Sequence, residues 1–295
     1  MPALGQSPPL RPSPRVSSAI VSYYEQTWAD YRVVWLNRVN YALHFGYHDV
    51  PGMPHHLALT RHNEVMAERA GIGSGHHVLD AGCGVGGSAC WLAEHRGATV
   101  TGVTLVDDQV ARARRIAAER GVDDRVRFEV ADYSRLPMPD ASFDAVWAQE
   151  SLCHAPDKAA TYREFLRVLK PGGRLVIAEY MRTTRQLGRL DARMVRAWVA
   201  GWAMPDLDTI DEHLRHATDA GFAPVEVRDE TPYVEPSLRR LFVRTASVYP
   251  LGVLLRLTRA RTAVQHANVR ASFLQYVALR RGAWRYAILS AVRPC

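Results

Sequence analysis

The sequence predicts an α/β fold in which a doubly wound parallel sheet carries a helical lid. Short apolar runs alternate with amphipathic stretches between about residues 71 and 183. A Gly-rich turn follows the first of these runs, and mainly helical regions flank the alternating part on both sides. Strands that alternate with helices form a parallel sheet with both faces covered, and ligands bind at the carboxyl ends of its strands.

Composition indicates a globular protein. The chain has 295 residues, 47% of them hydrophobic, which is enough for one core with an additional subdomain. No apolar run is long enough to span a membrane and no signal-peptide pattern is present, so we expect a cytoplasmic protein without stable membrane insertion. The four cysteines have no ligand-like spacing, and we expect them to be reduced and to bind no metal.

The net charge of +7 raises nucleic acid as a partner. Nearly all of the positive charge is arginine, with Lys158 and Lys170 as the only lysines, and the arginines look scattered rather than gathered on one helix face. We therefore expect no nucleic-acid partner. A bound small anion would need only two or three arginines.

Helical segments are predicted on both sides of the alternating part. Residues 1–15 are rich in Pro, Ser and Arg and predict a disordered tail. From Ser17, apolar and aromatic side chains recur every three or four residues, which predicts a long helix ending near Gly46. A second helix is predicted from about Pro54 to Arg69. Residues 16–70 and a helical insertion at residues 184–283 would form the lid.

The predicted core spans residues 71–183. Its strands are HVLDA, ATVTGVTL, VRFEVAD, FDAVWAQE and RLVIAEYM, and its helices are GSACWLAEHR, DQVARARRIAAERG and DKAATYREFLRVLKPGG. Within the insertion, one core strand is predicted near residues 223–230. The last segment, residues 284–295, predicts a strand that returns to the sheet.

The stretch VLDAGCGVGG, Val78 to Gly87, predicts a strand that turns sharply into a helix, as in many nucleotide-binding sites. A dinucleotide would place its pyrophosphate over this turn, but Asp80 would repel it and suits a cationic ligand instead. The second strand ends at Thr104 and Leu105 with no acidic residue at its tip. A cofactor with an amino group, a ribose and no phosphate fits better, and S-adenosylmethionine is such a cofactor.

Several segments, in order, resemble the class I S-adenosylmethionine-dependent methyltransferases. VLDAGCGVGG is similar to their first motif, ADYSRLPMPDASFDAVWAQE to their third and fourth strands with the adenine contact between them, and LRVLKPGGRLVIAE to the helix, turn and strand after the site. The resemblance covers about Val65 to Thr183. It implies a Rossmann-like, seven-stranded sheet, methyl transfer as the activity and S-adenosylmethionine as the cofactor.

The resemblance also implies roles for individual residues. Gly82 and Gly84 would let the backbone approach the cofactor, Asp80 would anchor its methionine amino group, and Asp132 and Tyr133 would cap the adenine. The implied cofactor-binding residues are Tyr24, Asp80, Gly82, Gly84, Thr104, Leu105, Gln109, Asp132, Tyr133 and Gln149.

The ribose site departs from the pattern of the family. Many relatives hold the ribose hydroxyl groups with an acidic residue at the tip of the second strand, and this sequence has none there. Thr104, Leu105 and Gln109 would border the ribose. Gln109 or Asp108 would then have to bind its hydroxyl groups.

The stretch QESLCHAPDK follows the fourth strand, so its side chains should face the site. Glu150 and His154 provide a candidate base and a partner whose charge can change near neutral pH. A structural alternative is open: Glu150 would bond backbone amides of neighbouring loops, and His154 would cap the next helix.

This stretch, together with YYEQTW and HFGYHD near the N-terminus, is similar to the sterol and tocopherol C-methyltransferase branch and to bacterial relatives that methylate isoprenoids and other natural products. In that group an aromatic N-terminal helix closes over the cofactor. Tyr24 matches a tyrosine that reaches the methionine end of the cofactor. The candidate substrate residues are Arg32, His44, Tyr47 and Tyr180.

The expected function is methyl transfer to a small hydrophobic molecule, first of all C-methylation of an isoprenoid alkene. The resulting carbocation would be stabilised by aromatic rings and deprotonated by a base. Open alternatives are O- or N-methylation of a secondary metabolite, a nucleic-acid or protein methyltransferase, and a cofactor-binding protein without turnover. The substrate, the methylated atom and a homo-oligomeric state also stay open.

A prenyl diphosphate is a narrower expectation for the substrate. Guanidinium groups bind diphosphates well, and several arginines are predicted on elements that surround the pocket mouth. These arginines are Arg32, Arg38, Arg182, Arg185 and Arg189.

Overall fold

A computed structural model of the protein describes residues 14–37 and 39–295. A seven-stranded sheet lies at its centre, with the strand order β3-β2-β1-β4-β5-β7-β6. The strands are β1 (His77–Ala81), β2 (Thr99–Thr104), β3 (Val126–Val130), β4 (Phe143–Gln149), β5 (Leu169–Arg182), β6 (Val225–Asp229) and β7 (Trp284–Val292). Strand β7 runs antiparallel to β5 and β6, and the other neighbouring strands are parallel. The predicted fold class is confirmed.

Helices alternate with the first five strands, except that β4 follows β3 without a helix, and most of the remaining chain toward the C-terminus is helical. The helices of the described residues are α1 (Pro14–Asp30), α2 (His55–Arg69), α3 (Gly87–Arg96), α4 (Asp107–Glu119), α5 (Lys158–Val168), α6 (Arg189–Gly201), α7 (Ile210–Ala220), α8 (Thr231–Leu257) and α9 (Ala263–Arg280). A π-helical turn, Tyr31–Trp35, continues α1. Helix α9 packs against α1, α6 and α8. In the part of the chain that the structure describes, no helix has the length and apolarity needed to cross a membrane.

The side chains of the strands enter two apolar clusters, one on each face of the sheet. On β1, Val78 belongs to one cluster and Leu79 to the other, and on β4 Trp147 and Val146 divide in the same way. Because both faces are covered, the strands read as nearly continuous apolar runs. The cluster that contains Val78 also includes Trp198 of α6. The C-terminal helices therefore share the core of the sheet.

The strand order reverses between β1 and β4, which are neighbours in the sheet although β2 and β3 separate them in sequence. Ligands of doubly wound sheets bind at such a switch point, at the carboxyl ends of the strands. The loops that leave β1 and β4 carry the Gly-rich turn and the QESLCHAPDK stretch. Both segments that the sequence singles out are thus brought to the same edge.

The first helix is shorter than predicted. The helical backbone ends at Trp35, and the described residues between Leu36 and Gly46 belong to no helix or strand. The side chain of Asn37 accepts hydrogen bonds from the backbone N–H groups of Val39 and Asn40. An asparagine that bonds the local backbone in this way competes with the helix.

Two other boundaries differ from the prediction. Helix α5 ends at Val168, before the glycines, because Pro171 disfavours helical backbone in the residue that precedes it. The chain enters β5 directly at Leu169. The predicted tail lies outside the described residues except for Pro14 and Arg15, which begin α1.

Gly87, the first residue of α3, lies against the irregular N-terminal segment. A Cβ atom at this position would lie 2.6 Å from the carbonyl oxygen of Asn40 and 2.6 Å from that of Tyr41. We expect Gly87→Ala to lower the free energy of unfolding by about 1–3 kcal/mol, since backbone atoms must shift to make room. Thermal unfolding followed by circular dichroism measures the effect. Gly73→Ala is the matched control, because a Cβ there meets no atom within 4 Å; equal Tm values for the two variants would contradict this packing.

Candidate active site

The turn after β1 forms one wall of a cavity at the carboxyl edge of the sheet. Gly82 has a φ of +94°, a conformation that glycine adopts without strain. A Cβ there would lie 2.4 Å from Cβ of Ser151, so the loops after β1 and β4 approach each other closely. The backbone N–H groups of Gly82 and Cys83 both donate to the carbonyl oxygen of Val103, which fixes the turn against β2. Gly82 and Gly84 both line the cavity.

Aromatic side chains dominate the rest of the lining. They come from the N-terminal segment, from the sheet edge and from the connection between α6 and α7. The aromatic lining residues are Tyr23, Tyr24, Tyr31, Trp35, Tyr41, Phe45, Tyr133, Tyr180 and Trp202. Among the described residues, the lining includes Asp30, Asp80 and Glu150 but no Arg or Lys.

Four lining residues have a buried polar atom without a partner among the described residues, namely Trp35, His44, Asp80 and Gln149, and the last two lie on strands of the sheet. Oδ2 of Asp80 and Nε2 of Gln149 form no hydrogen bond with any of the described residues. The other amide atom of Gln149 accepts a hydrogen bond from the hydroxyl group of Ser88, at 2.8 Å. Burial raises the pKa of Asp80 to about 7. Because an unpaired buried carboxylate is costly, this position fits the cationic amino group of a ligand.

The three residues predicted to border the ribose lie together at the end of β2 and the start of α4. Thr104, Leu105 and Gln109 line the cavity, and the Thr104 hydroxyl donates to Oε1 of Gln109 at 2.6 Å. Asp108, the alternative to Gln109, is exposed and pairs with Arg112. Gln109 therefore faces the cavity and Asp108 does not.

Of the two residues predicted to contact adenine, Tyr133 lines the cavity and Asp132 does not. The hydroxyl group of Tyr133 donates to the carbonyl oxygen of Ser151 at 2.7 Å. Oδ1 of Asp132 instead accepts hydrogen bonds from the backbone N–H and the hydroxyl group of Ser134.

His154 and Tyr24 meet inside the cavity. Nε2 of His154 lies 3.0 Å from the Tyr24 hydroxyl oxygen, and Nδ1 lies 3.4 Å from the carbonyl oxygen of Ala203. With the ring proton on Nδ1, directed to that carbonyl, Nε2 is the unprotonated nitrogen and accepts a hydrogen bond from the Tyr24 hydroxyl group. Burial lowers the pKa of His154 to about 4, so the ring is neutral at pH 7. His154 does not cap the next helix, because the side chain of Asp157 accepts from the backbone N–H of Ala160 there.

The carboxylate of Glu150 is bound by donors from three parts of the chain. Oε1 accepts from the backbone N–H of Phe45 and from the hydroxyl group of Tyr286, each at 2.8 Å, and Oε2 accepts from the hydroxyl group of Tyr180. Burial raises the pKa of Glu150 to about 8. The φ of Glu150 is +52°, which is uncommon for a residue other than glycine. Glu150 thus accepts from a backbone amide of a neighbouring loop, as the structural alternative expects, and it also lines the cavity.

The four candidate substrate residues divide into two groups. His44 and Tyr180 line the cavity, and Nε2 of His44 has no partner among the described residues. Tyr47 lies outside the lining, because its hydroxyl group donates to Glu230 at 2.7 Å. Arg32 is exposed on the π-helical turn and does not line the cavity.

The arginines expected at the pocket mouth also lie away from the lining. Arg189 is exposed, and Arg38 lies outside the described residues. Arg182 and Arg185 are paired with carboxylates from the connection that leads into α7 and from α7 itself. These partners are Asp206, Asp208 and Glu212.

Sequence reasoning missed the contribution of the C-terminal helices. Asn268 and Ser272 of α9 line the cavity. Oδ1 of Asn268 accepts from the Tyr23 hydroxyl at 2.8 Å, and Nδ2 donates to Asp30 at 3.2 Å, so α9 is bonded to α1. Two polar residues four positions apart share one helix face. That spacing is the signal that could have identified them.

Comparison with known proteins identifies the family of this chain. A family described as "Methyltransferase domain" matches residues 79–177. The chain is 39% identical over 195 residues to 27-O-demethylrifamycin SV methyltransferase of Amycolatopsis mediterranei, covering 66% of this chain and 71% of that protein. It is 36% identical over 223 residues to methyltransferase GfsG of Streptomyces halstedii, covering 75% and 78% of the two chains. A sterol 24-C-methyltransferase of Gibberella zeae is 39% identical over 167 residues, 56% of this chain and 44% of that protein.

Solved structures share the whole fold. The [4+2]-cyclase SpnF superposes with a TM-score of 0.78 at 27% identity, over 94% of this chain and 97% of that chain. Geranyl diphosphate C-methyltransferase from Streptomyces coelicolor has a TM-score of 0.74 at 22% identity, over 96% and 100% of the chains. The second likeness shows the fold alone. With its Gly-rich turn, its unpaired Asp80 carboxylate and these relatives, the chain belongs to the class I S-adenosylmethionine-dependent methyltransferases and uses S-adenosylmethionine as its cofactor.

Proposed function

We propose that the methyl acceptor is an uncharged, largely apolar small molecule, and that an isoprenoid alkene methylated on carbon is the first candidate. The lining of the cavity carries this proposal: among the described residues it has nine aromatic side chains and no Arg or Lys. A diphosphate would need such cations or a bound metal ion, and the described residues contain no group of three or more His, Cys, Asp or Glu side chains that could hold one. The observed lining therefore supports an isoprenoid without phosphate groups rather than a prenyl diphosphate.

The proposed cofactor contacts follow from the unpaired polar groups. Asp80 and Gln149 would hold the methionine end, and Gln109 would bind the ribose beside Thr104. The Asp132 contact with adenine stays a prediction. When bound, S-adenosylmethionine supplies an electrophilic methyl group on its sulfonium sulfur. The residues of this chain then have to orient the acceptor, exclude water and accept a proton.

Aromatic rings suit an alkene acceptor, because a methylated alkene carries a positive charge until it loses a proton. The rings of Tyr24 and Tyr31 are stacked with their centroids 6.2 Å apart at the cavity wall, and their faces would stabilise this charge. Nε2 of the neutral His154 would accept the proton. In this proposal α1, α8 and α9 act as a lid that keeps water from the cation.

O-methylation of a hydroxyl group is the second candidate. It is favoured by the neutral His154 ring, which would accept the hydroxyl proton as the oxygen becomes methylated. The name of the relative from Amycolatopsis mediterranei also refers to an O-demethyl compound. The two candidates share one site and differ in the atom that is methylated.

Product analysis separates the candidates. The purified protein is incubated with methyl-labelled S-adenosylmethionine and, separately, an isoprenoid alkene, a sterol, a hydroxylated polyketide and a prenyl diphosphate, and products are identified by mass spectrometry. We expect label on a carbon of an uncharged isoprenoid. Label on a hydroxyl oxygen would establish the second candidate instead, and the prenyl diphosphate as the preferred acceptor would contradict the argument from the cavity lining.

Asp80→Asn tests the cofactor site. The substitution keeps the shape of the side chain but removes the charge. We therefore expect the affinity for S-adenosylmethionine to fall at least tenfold, which corresponds to about the free energy of one charge-assisted hydrogen bond. Isothermal titration calorimetry measures the change. Asp124→Asn, which alters an exposed carboxylate, is the control. An affinity equal to that of the wild type would remove Asp80 from the site.

Glu150→Gln tests the role of the buried carboxyl group. Glutamine retains the size but cannot accept all three hydrogen bonds, so we expect kcat to fall about tenfold or more while cofactor affinity stays within about twofold. The wild type should show a change in kcat near pH 8, where Glu150 loses its proton, and the variant should lack it. Glu119→Gln, on the exposed side of α4, is the control. Full activity and an unchanged pH profile in Glu150→Gln would show that the carboxyl group of Glu150 takes no part in turnover.

A further inference from the structure

Helices α8 and α9 carry the excess positive charge of the protein. Residues 236–281 contain nine arginines and no Asp or Glu, whereas the other 28 basic residues of the chain are outnumbered by its 30 acidic residues. The expectation of scattered arginines is therefore wrong for this part of the chain. A segment of this length without a carboxylate attracts an anionic partner.

The outer face of α8 is apolar. Four large side chains spaced three residues apart, from Val248 to Leu257, are exposed along the second half of the helix, and Val243 is exposed five residues before them. We call this the α8 stripe: Val243 (56% exposed), Val248 (40%), Leu251 (57%), Leu254 (57%) and Leu257 (77%). Contiguous apolar surface of this kind marks an interaction site.

Arginines flank the α8 stripe at both ends. Within residues 14–37 and 39–295, three arginines of this segment pair with carboxylates: Arg261 with Asp30, Arg280 with Glu235 and Arg281 with Asp191. The other six are exposed and form no ion pair with any carboxylate of the described residues, and all of them except Arg270 of α9 lie on α8 or directly after it. The five flanking arginines are Arg239, Arg240, Arg244, Arg256 and Arg259.

The α8 stripe lies one helix away from the active-site cavity. Leu241 and Thr245, on the opposite face of α8, line the cavity. Arg244 donates a hydrogen bond to the carbonyl oxygen of Val34 at 2.7 Å, and Val34 also lines the cavity. A partner that covers the α8 stripe would thus lie beside the site.

Charge and apolarity together select one kind of partner. The first thirteen residues contain no Asp or Glu, so they cannot neutralise the arginines. A second copy that used the same face would bring like charges together, since a two-fold interface pairs equivalent surfaces. Duplex nucleic acid would neutralise the arginines but leave the leucines in water. An anionic bilayer accepts both, with guanidinium groups at the headgroups and leucines at the acyl boundary.

We propose that the α8 stripe and its five flanking arginines form a docking surface for an anionic membrane. The protein lies on the bilayer without crossing it, and the cavity opens beside a phase in which an apolar acceptor dissolves. This inference goes beyond the proposed function, because vesicle binding requires neither cofactor nor acceptor.

Vesicle flotation with the full chain tests the proposal. We expect the protein to float with mixed phosphatidylcholine and phosphatidylglycerol vesicles, and to stay unbound with phosphatidylcholine alone or in high salt. A variant with Leu251→Ser, Leu254→Ser and Leu257→Ser, and another with Arg239→Gln, Arg240→Gln, Arg256→Gln and Arg259→Gln, should each bind at least tenfold less. The control carries Leu57→Ser, Val130→Ser and Leu190→Ser, which are also exposed but lie on other elements. Circular dichroism and cofactor affinity establish that each variant is folded.

Three outcomes would overturn the proposal. The protein could remain unbound with anionic vesicles, or the leucine variant could bind them as the wild type does. Size-exclusion chromatography could instead show a dimer that the leucine variant lacks, which would assign the α8 stripe to a second copy. Duplex DNA bound as tightly as the vesicles, with no effect of the leucine substitutions, would assign the arginines to nucleic acid.

Discussion

The buried carboxyl group of Glu150 joins parts of the chain that are far apart in sequence. It accepts hydrogen bonds from the backbone N–H of Phe45 in the N-terminal segment, from Tyr180 on β5 and from Tyr286 on β7. Burying a carboxyl group is costly unless such donors are present, so the donors from these elements hold the elements together. The N-terminal segment is thereby held over the carboxyl ends of the strands, and the cavity lies between them.

The same edge of the sheet contains a polar group that the protein leaves unsatisfied. Oδ2 of Asp80 is buried without a partner among the described residues, although the fold provides three donors for Glu150 nearby. The contrast is between a carboxyl group whose hydrogen bonds the protein supplies and one that leaves an oxygen atom available to a ligand. Aromatic rings and the absence of Arg and Lys from the described lining then determine which acceptors the remaining space suits.

Local sequence patterns were sufficient to predict the sheet and the cavity wall that contains the Gly-rich turn. The apolar runs, the glycines and Asp80 lie where the pattern of each segment predicts, because strand and turn preferences act over a few residues. Which residues line the part of the cavity proposed for the methyl acceptor depends on packing between elements. Tyr47 and Arg32 belong to the predicted segment but do not line the cavity, since Tyr47 donates to Glu230 and Arg32 is exposed on the π-helical turn. Asn268 and the other residues of α8 and α9 reach the cavity only through contacts between distant elements, which no single segment reveals.

A crystal structure of the protein with bound S-adenosylhomocysteine tests the central claim most directly. The account predicts that the amino group of the ligand lies within hydrogen-bond distance of Oδ2 of Asp80. The space next to the ligand sulfur should be bordered by Tyr24, Tyr31 and His154, with no basic side chain in it. A ligand bound elsewhere, or an Asp80 carboxylate still unpaired in the complex, would contradict the account.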